Sequence, residues 1–221
     1  MSSTLPLLLV SFILLWATTL ASDPDPVQDY CLPNPKSSAT RTAHLTILPC
    51  KNSSEAITDD FIFSGMKVPG NFSDTGLAAI SVNPTIFPGI NTLGMSFVRA
   101  DLKAGGINPP HFHPRATEIA YIVQGSVYSG FVDSTNRIFA RVIEQGEVMV
   151  FPRGLVHFQM NIGKKPATVF GSFNSQNPGI QKIPAAIFGS GINNKLLEKA
   201  FGLSPKQIAR MKKRFDQSKL R

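Results

Sequence analysis

Charged residues are scarce in this chain of 221 residues: Asp, Glu, Lys and Arg together make up only 16% of it, whereas glycine and proline number 17 each. Because glycine and proline interrupt helices, long helices are expected to be few, and the composition favours an all-β body. The sequence also lacks internal repeats, low-complexity tracts and a phosphate-binding glycine loop. Its length suffices for one domain with a sizeable core and an appendage.

The apolar run near the start of the chain is too short to span a bilayer comfortably. It covers residues 5–17 and is followed by small residues up to Ala21, after which polarity rises abruptly at Ser22. This pattern predicts a secretory signal peptide at residues 1–21, cleaved near Ala21 or Ser22. No Lys or Arg precedes the run, so an uncleaved anchor is the alternative. The mature chain is therefore expected to be secreted and to carry no membrane span.

Cysteine is rare too, and Cys31 and Cys50 are the only two. In an oxidising compartment a pair this close is expected to form one disulfide, with two free thiols as the alternative. The bond would close a loop of about twenty residues and stabilise the fold by roughly 3 kcal/mol. Both cysteines lie well before the clustered histidines described below. We therefore interpret them as a staple for an N-terminal arm at residues 22–60 and not as metal ligands. Two sequons for N-glycosylation begin at Asn52 and Asn71.

Residues 61–182 are predicted to form the β-rich body of the chain. Short segments rich in β-branched and aromatic residues alternate there with Gly, Pro and Asn, at the spacing of a sandwich or jelly roll. Leu93, Met95 and Phe97 alternate and are predicted to share one face of a strand. Further strands are predicted at residues 119–132 with a break at Gly125, 138–143, 147–151 and 167–173.

The C-terminal segment, residues 183–221, is predicted to form short amphipathic helices. Residues 193–201 have helical spacing, and a last helix is expected to begin with Ser204 as N-cap and Pro205 at its first position. These helices could pack on their own barrel or on a neighbouring subunit.

The net charge of +8 is concentrated at this end of the chain. A secreted protein rarely meets nucleic acid, so no such partner is expected and anionic polysaccharide is the more suitable counter-surface. An ordinary solvated helix face is the alternative. The basic residues concerned are Lys206, Arg210, Lys212, Lys213, Arg214, Lys219 and Arg221.

Histidine is also scarce, and three of only four histidines fall in two short segments. His111 and His113 are two residues apart, so on an extended segment their side chains leave the same face. Glu118 has the wrong parity for a straight strand, but a turn or bulge at Pro114-Arg115 could return it to the same centre. His157 belongs to a separate segment and would complete the site if that segment lies beside the first.

Three imidazoles and one carboxylate suit a borderline first-row metal ion. Zinc with four protein ligands would be closed and structural, whereas Mn²⁺ or Fe²⁺ prefers six positions and would keep two open. The ligand set argues against Ca²⁺ and Mg²⁺, which prefer oxygen ligands, and does not separate manganese from iron. The alternative is that these are ordinary core or loop histidines.

Both segments match the two sequence motifs of the germin and germin-like proteins, a branch of the cupin superfamily, and the chain resembles this family over essentially its whole mature length. The first motif is carried by Gly105, His111, His113, Glu118 and Gly125. The second is carried by Gly146, Pro152, Gly154, His157 and Asn161. Further likeness lies in residues 23–31 and 172–179.

The resemblance implies an all-β fold, the cupin β-jelly-roll barrel, with short C-terminal α-helices. It implies a manganese ion held by His111, His113, Glu118 and His157, with iron as a less suitable alternative, and a disulfide that joins Cys31 to Cys50. Germin-like proteins are secreted plant glycoproteins of the apoplast. They form homo-oligomers, namely hexamers built as a trimer of dimers.

The resemblance also implies a choice between activities, since family members oxidise oxalate, dismutate superoxide, bind auxin or serve as storage or receptor-like proteins. Many are linked to defence and cell-wall remodelling through peroxide. In oxalate-oxidising germins two asparagines orient the substrate; one matches Asn108, but the other falls at Val98, whose side chain cannot donate a hydrogen bond. We therefore expect superoxide dismutase-type activity without strong oxalate oxidation. The alternative is a non-catalytic binding, receptor-like or storage protein.

Overall fold

The computed structural model describes residues 28–34 and 49–216. The predicted signal peptide and the basic residues Lys219 and Arg221 therefore lie outside the described residues, as do parts of the N-terminal arm. Within the described part of the chain, no helix is long and apolar enough to cross a membrane.

Ten strands form two five-stranded antiparallel sheets, with orders β1-β2-β9-β4-β7 and β10-β3-β8-β5-β6. The predicted all-β jelly-roll barrel is confirmed by this arrangement. The strands are β1 (Leu77–Val82), β2 (Ser96–Leu102), β3 (Ile107–Phe112), β4 (Glu118–Gln124), β5 (Ser126–Val132), β6 (Ile138–Glu144), β7 (Val148–Phe151), β8 (Val156–Asn161), β9 (Ala167–Phe173) and β10 (Gln181–Lys182).

The strand boundaries follow local backbone conformation. Gly125 has φ of 92° and separates β4 from β5, where the sequence predicts a break. The prediction that Leu93, Met95 and Phe97 share one strand face is wrong at its start, because β2 begins only at Ser96. Thr92 and Gly94 both have positive φ, at 65° and 64°, which places Leu93 in a turn.

One end of the barrel is closed by a packed apolar core. Side chains alternate in and out along the strands, most regularly along β9, so that every second residue is buried. This end, which we call the closed end, excludes water by apolar packing. Its buried core residues include Leu102, Ile122, Val127, Ile143 and Ala167.

Asn161 is the polar centre of the closed end, and its side chain is completely buried. Its Nδ2 lies 2.8–3.1 Å from the carbonyls of Leu102, Lys103 and Lys165, while its Oδ1 accepts a hydrogen bond from the Gly163 amide at 2.8 Å. One amide therefore ties the ends of β2 and β8 to the loop that leads into β9. This role explains why a polar residue can occupy a buried position without a ligand.

Three short helices follow the barrel: α1 (Ile183–Phe188), α2 (Asn194–Phe201) and α3 (Pro205–Phe215). The two predicted helices are confirmed as α2 and α3. Asn193 caps α2, and Ser204 caps α3 in a reciprocal capping box with Gln207. The helices bury their own small cluster, which consists of Phe188, Leu197 and Ile208 with Ile187, Leu203, Met211 and Phe215 packed against it.

The N-terminal arm is held by the predicted disulfide between Cys31 and Cys50. Pro33 pairs with Cys50 as an isolated antiparallel bridge beside the bond. Two short 3₁₀ helices, Ser53–Glu55 and Thr58–Phe61, continue the arm towards the barrel. The disulfide therefore joins two described pieces of the arm, as the sequence predicts.

Candidate metal centre

Strand pairing brings His111 and His157 together from distant parts of the chain. β3 and β8 are antiparallel neighbours, and His111 lies directly opposite His157 in their register. The register shifts between Asn108 and His111, so the pairing is irregular where the prolines of the first segment lie. The predicted approach of the second histidine segment to the first is confirmed by this pairing.

Glu118 reaches the same centre because the chain changes sheets. A turn at residues 114–115 follows His113 and leads to Glu118, the first residue of β4 in the opposite sheet. Glu118 therefore projects into the space between the two sheets from the sheet opposite β3 and β8. The odd spacing between His113 and Glu118 required a turn, and this turn is present at Pro114-Arg115, where it was predicted.

All four predicted side chains converge and are buried, with 1–6% of their surface exposed. Glu118 Oε2 lies 3.1 Å from His113 Nε2 and 3.2 Å from His157 Nε2. One ligand atom from each of the four residues can be chosen such that all lie within 4.8 Å of one another. A single small ion could contact all four atoms at that separation.

Each imidazole is oriented by a backbone carbonyl. The Nδ1–H groups of His111, His113 and His157 donate to the carbonyls of Pro109, Gly179 and Leu155, at 2.8 Å for His111 and 2.9 Å for His157. A carbonyl can only accept, so the proton is on Nδ1 and the lone pair of Nε2 faces the centre. This is the arrangement by which neighbouring groups orient metal-binding histidines.

The protonation states suit metal binding. Burial, followed by the neighbouring charge of His157, lowers the pKa of His111 to about 3, so this imidazole is neutral at ordinary pH. Burial alone would raise the pKa of Glu118, but in the metal-free centre N–H donation and positive charge from His113 and His157 outweigh that effect and lower the pKa to about 2. A bound cation would take the place of those inward protons. The centre therefore offers a neutral imidazole and a charged carboxylate.

The chemistry of this donor set fits a cation. With Nδ1 protonated, the inward-facing nitrogens are acceptors, and so is the carboxylate. Apart from a long contact of Asn108 Nδ2 with His111 Nε2 at 3.5 Å, these buried acceptors face each other without a donor. That arrangement is costly, and a positive charge between the acceptors removes the cost. The residues present therefore fit a bound metal ion better than an ordinary set of core histidines, which would pair with donors.

A cavity of about 550 Å³ opens on one side of this centre. The Asn108 side chain lies at the cavity and donates from Nδ2 to Gln159 Oε1 at 2.7 Å, while its Oδ1 is buried with no hydrogen-bond partner. Val98 and Phe173 contribute apolar wall, and the Phe173 ring lies 4.6 Å from that of His113. The cavity beside the centre therefore combines apolar wall with amide side chains, two of which, Asn108 and Gln159, pair with each other.

Four residues at the site were missed by sequence reasoning. Gln159 holds Asn108, the carbonyl of Gly179 orients His113, and Phe151 stacks on the His157 ring at 4.4 Å. Gly171 leaves room for the carboxylate, since a Cβ there would lie 2.7 Å from Val98 Cγ1 and 2.8 Å from Glu118 Oε1. Only the position of Gln159, two residues after His157 on a strand, offered a signal, because such residues share a face.

Sequence comparison places this chain among known relatives. The model of the cupin family matches residues 64–209. Germin-like protein subfamily 3 member 2 of Arabidopsis thaliana is 66% identical over 199 residues, which make up 90% of this chain and 88% of that protein. Germin-like protein 2-4 of Oryza sativa subsp. japonica is 56% identical over 212 residues, or 95% of this chain and 93% of that protein.

Structural comparison agrees with the sequence. A recombinant oxalate oxidase solved in complex with glycolate superposes with a TM-score of 0.81 at 40% identity. The match covers 88% of this chain and 98% of that one. The similarity therefore extends over the barrel and beyond it.

Proposed function

The chain belongs to the germin-like proteins of the cupin family, and from this premise we propose that it is a secreted manganese protein with superoxide dismutase-type activity. Its place would be the plant apoplast, where such activity supplies peroxide for defence and cell-wall redox chemistry. The observation that carries the proposal is the convergence of His111, His113, Glu118 and His157 into a buried set of acceptors beside an open cavity.

The residues of the chain supply what this activity needs. The histidines and Glu118 would hold the ion, with iron as the less suitable alternative, and the carbonyls behind Nδ1 would keep each ring in place. Bound there, manganese would supply one-electron redox chemistry, in which one superoxide gives up an electron to become O₂ and a second gains an electron and two protons to become hydrogen peroxide. Because only these four side chains would hold the ion, a small anion would be able to reach it from the cavity.

Oxalate oxidation is expected to be weak because of Val98. The oxalate oxidase with which the chain superposes shares 40% of its sequence, but Val98 offers no hydrogen bond to a dianion at the cavity wall. A missing donor in a buried site costs about 1–3 kcal/mol. Val98→Asn should therefore raise the kcat/KM for oxalate by about tenfold or more. Val98→Leu, which adds no donor, is the control, and strong oxalate turnover by the unchanged protein would refute this part of the proposal.

The direct test compares superoxide dismutation by metal-stripped and metal-loaded protein. Activity should disappear on chelation and return when Mn²⁺ is added back alone. His157→Ala, treated in the same way, should regain none. Equal activity in the stripped and loaded forms would contradict a metal-dependent reaction.

A second candidate is a non-catalytic binding, receptor-like or storage protein, and the size of the cavity favours it. A volume of about 550 Å³, lined by both apolar and amide side chains, is far larger than a diatomic anion needs and suits a drug-sized organic ligand such as auxin. Under this alternative the metal would orient a ligand or support the fold. Metal-loaded protein without dismutase activity that binds an organic acid in the cavity would favour it.

The remaining proposals concern assembly and surroundings. An exposed apolar patch on the first sheet, formed by the cross-strand pairs Ile119–Val150 and Tyr121–Val148, supports burial in a homo-oligomer, for which we propose a hexamer built as a trimer of dimers. Asn71 and Asn52 are exposed, which suits N-glycosylation. The exposed cations of α3 suit cell-wall polysaccharide.

A further inference from the structure

Two loops form the entrance of the cavity. The first joins β1 to β2 at residues 83–95, and we call it the entrance loop. The second joins β9 to β10 at residues 174–180, and we call it the strap. Asn83, Asn91, Gln176 and Asn177 from these loops line the cavity. Both the entrance loop and the strap therefore border the cavity.

A hydrogen bond donated by Thr92, a residue with a left-handed backbone, joins the two loops. The Thr92 amide donates to Gln176 Oε1 at 2.7 Å. Thr92 has φ of 65°, a left-handed conformation that is unfavourable for a β-branched residue, and its Oγ1 is buried with no hydrogen-bond partner. A conformation of this kind persists only where the surroundings hold it in place. The contact with Gln176 is one such restraint.

The same strap orients a residue of the candidate metal centre. Three residues after Gln176, the carbonyl of Gly179 accepts the hydrogen bond from His113 Nδ1–H. Arg115 holds the middle of the strap, since its side chain donates to the Asn177 carbonyl at 2.7 Å and to Asn177 Oδ1 at 2.8 Å. A shift of the strap would therefore move the acceptor that keeps the His113 ring in position.

The entrance loop is itself anchored to the disulfide-bonded arm. Asn91, next to Thr92, donates from Nδ2 to the Cys31 carbonyl at 2.9 Å. Gly89 in the same loop packs so closely on the arm that a Cβ would lie 2.4 Å from the Asp60 carbonyl oxygen. The entrance loop is thus a firm support, and the strap is held against it through Gln176.

We propose that Gln176 is a positioning residue for the metal centre: by accepting from Thr92 it holds the strap so that Gly179 orients His113. The inference rests on the proposed metal site and assigns a role to a residue that does not touch the ion. The coupling runs from the anchored entrance loop through Thr92, Gln176 and Gly179 to His113.

The test measures the rate at which the full-length, manganese-loaded protein gives up its metal to an excess of a chelating dye. Gln176→Leu removes the acceptor at nearly constant size and should release manganese about tenfold faster, at the lower end of the range for changes around a metal site. Gln176→Glu keeps an acceptor oxygen for the Thr92 amide and should restore a near-normal rate. Gln181→Leu, the same change at an exposed position on β10, is the matched control and should release metal at the normal rate.

A second readout uses metal-free protein and so does not depend on loading. Amide hydrogen exchange of residues 174–180 should be faster in Gln176→Leu than in the unchanged protein or in Gln176→Glu. Thr92→Gly keeps the donating amide and relieves the backbone strain at residue 92. Amide exchange of residues 174–180 should therefore stay slow in this variant.

The outcomes separate this inference from the proposed function. If the unchanged protein binds no metal, the proposed metal site fails. If it binds metal but Gln176→Leu releases it at the normal rate, or Gln176→Glu releases it as fast as Gln176→Leu, the site stands and the role of Gln176 is overturned.

Discussion

The two ends of the barrel contain buried polar groups of opposite kinds, although the same strands build both. His157 and Asn161 lie four residues apart on β8, about 13 Å along the strand, and both side chains are buried. Asn161 finds its acceptors and its donor within the chain. The inward nitrogens around His157 face another acceptor, Glu118. A buried polar group satisfied by the chain is structural, whereas a set of acceptors without a donor indicates a binding site.

The largest expected effect is a loss of metal binding when one carboxylate oxygen of the candidate metal centre is replaced by an amide nitrogen. Glu118→Gln keeps the shape of the side chain but removes the charge and adds an N–H donor. Metal affinity should fall by more than about a hundredfold, since each of four ligands carries roughly a quarter of the binding free energy. The metal-free protein should become about 1 kcal/mol more stable at neutral pH, because the new amide can donate to an imidazole nitrogen.

Calorimetric titration with Mn²⁺ and denaturant unfolding of the metal-free protein measure these two effects. Glu147→Gln is the matched control, because that carboxylate is only partly buried and pairs with Arg141 at the surface, away from the four candidate ligands. Undiminished manganese affinity in Glu118→Gln would contradict the assignment of the carboxylate as a ligand.

The second largest expected effect is a loss of stability when the buried amide of the closed end is removed. Asn161→Ala leaves the buried Leu102 carbonyl and the partly buried carbonyls of Lys103 and Lys165 without their shared donor, and should lower the free energy of unfolding by about 3 kcal/mol. Metal affinity of the folded protein should stay within about twofold, since the change lies at the other end of β8. Urea unfolding and manganese titration measure the two quantities. Asn194→Ala on α2 is the exposed control, and a loss of metal affinity equal to that of Glu118→Gln would show that the two ends are not independent.

The smallest expected effect comes from making the same substitution, glycine to alanine, once at each end of the barrel. Gly171→Ala places a methyl group against Val98 and Glu118, so the carboxylate must shift. We expect about tenfold weaker metal binding and a loss of about 1–2 kcal/mol in stability. Gly163→Ala at the closed end is the matched change, since its Cβ would meet no atom nearer than 3.2 Å. Similar metal affinity in the two variants would show that the position of Glu118 tolerates crowding.

Sequence alone predicted what local patterns encode. Scarce histidines at a short spacing indicated the cluster, the Ser204-Pro205 pair indicated the start of α3, and two isolated cysteines indicated the disulfide. Each of these signals is a residue type that is chemically distinctive by itself.

What sequence could not predict depends on contacts between distant segments. Gly171 matters only because the antiparallel register sets it opposite Val98 on β2 and Ala120 on β4. Leu93 was assigned to a strand because its turn depends on Thr92, whose left-handed backbone is held by Gln176 from a loop 84 residues away. Such positions carry no local signature, so only the fold reveals them.

Anomalous diffraction on either side of the manganese absorption edge, from crystals of the protein purified from its native source without chelators, tests the central claim most directly. The account predicts one peak per chain, enclosed by the Nε2 atoms of His111, His113 and His157 and by the Glu118 carboxylate. A peak at any other position, or none at either manganese or iron wavelengths, would contradict it.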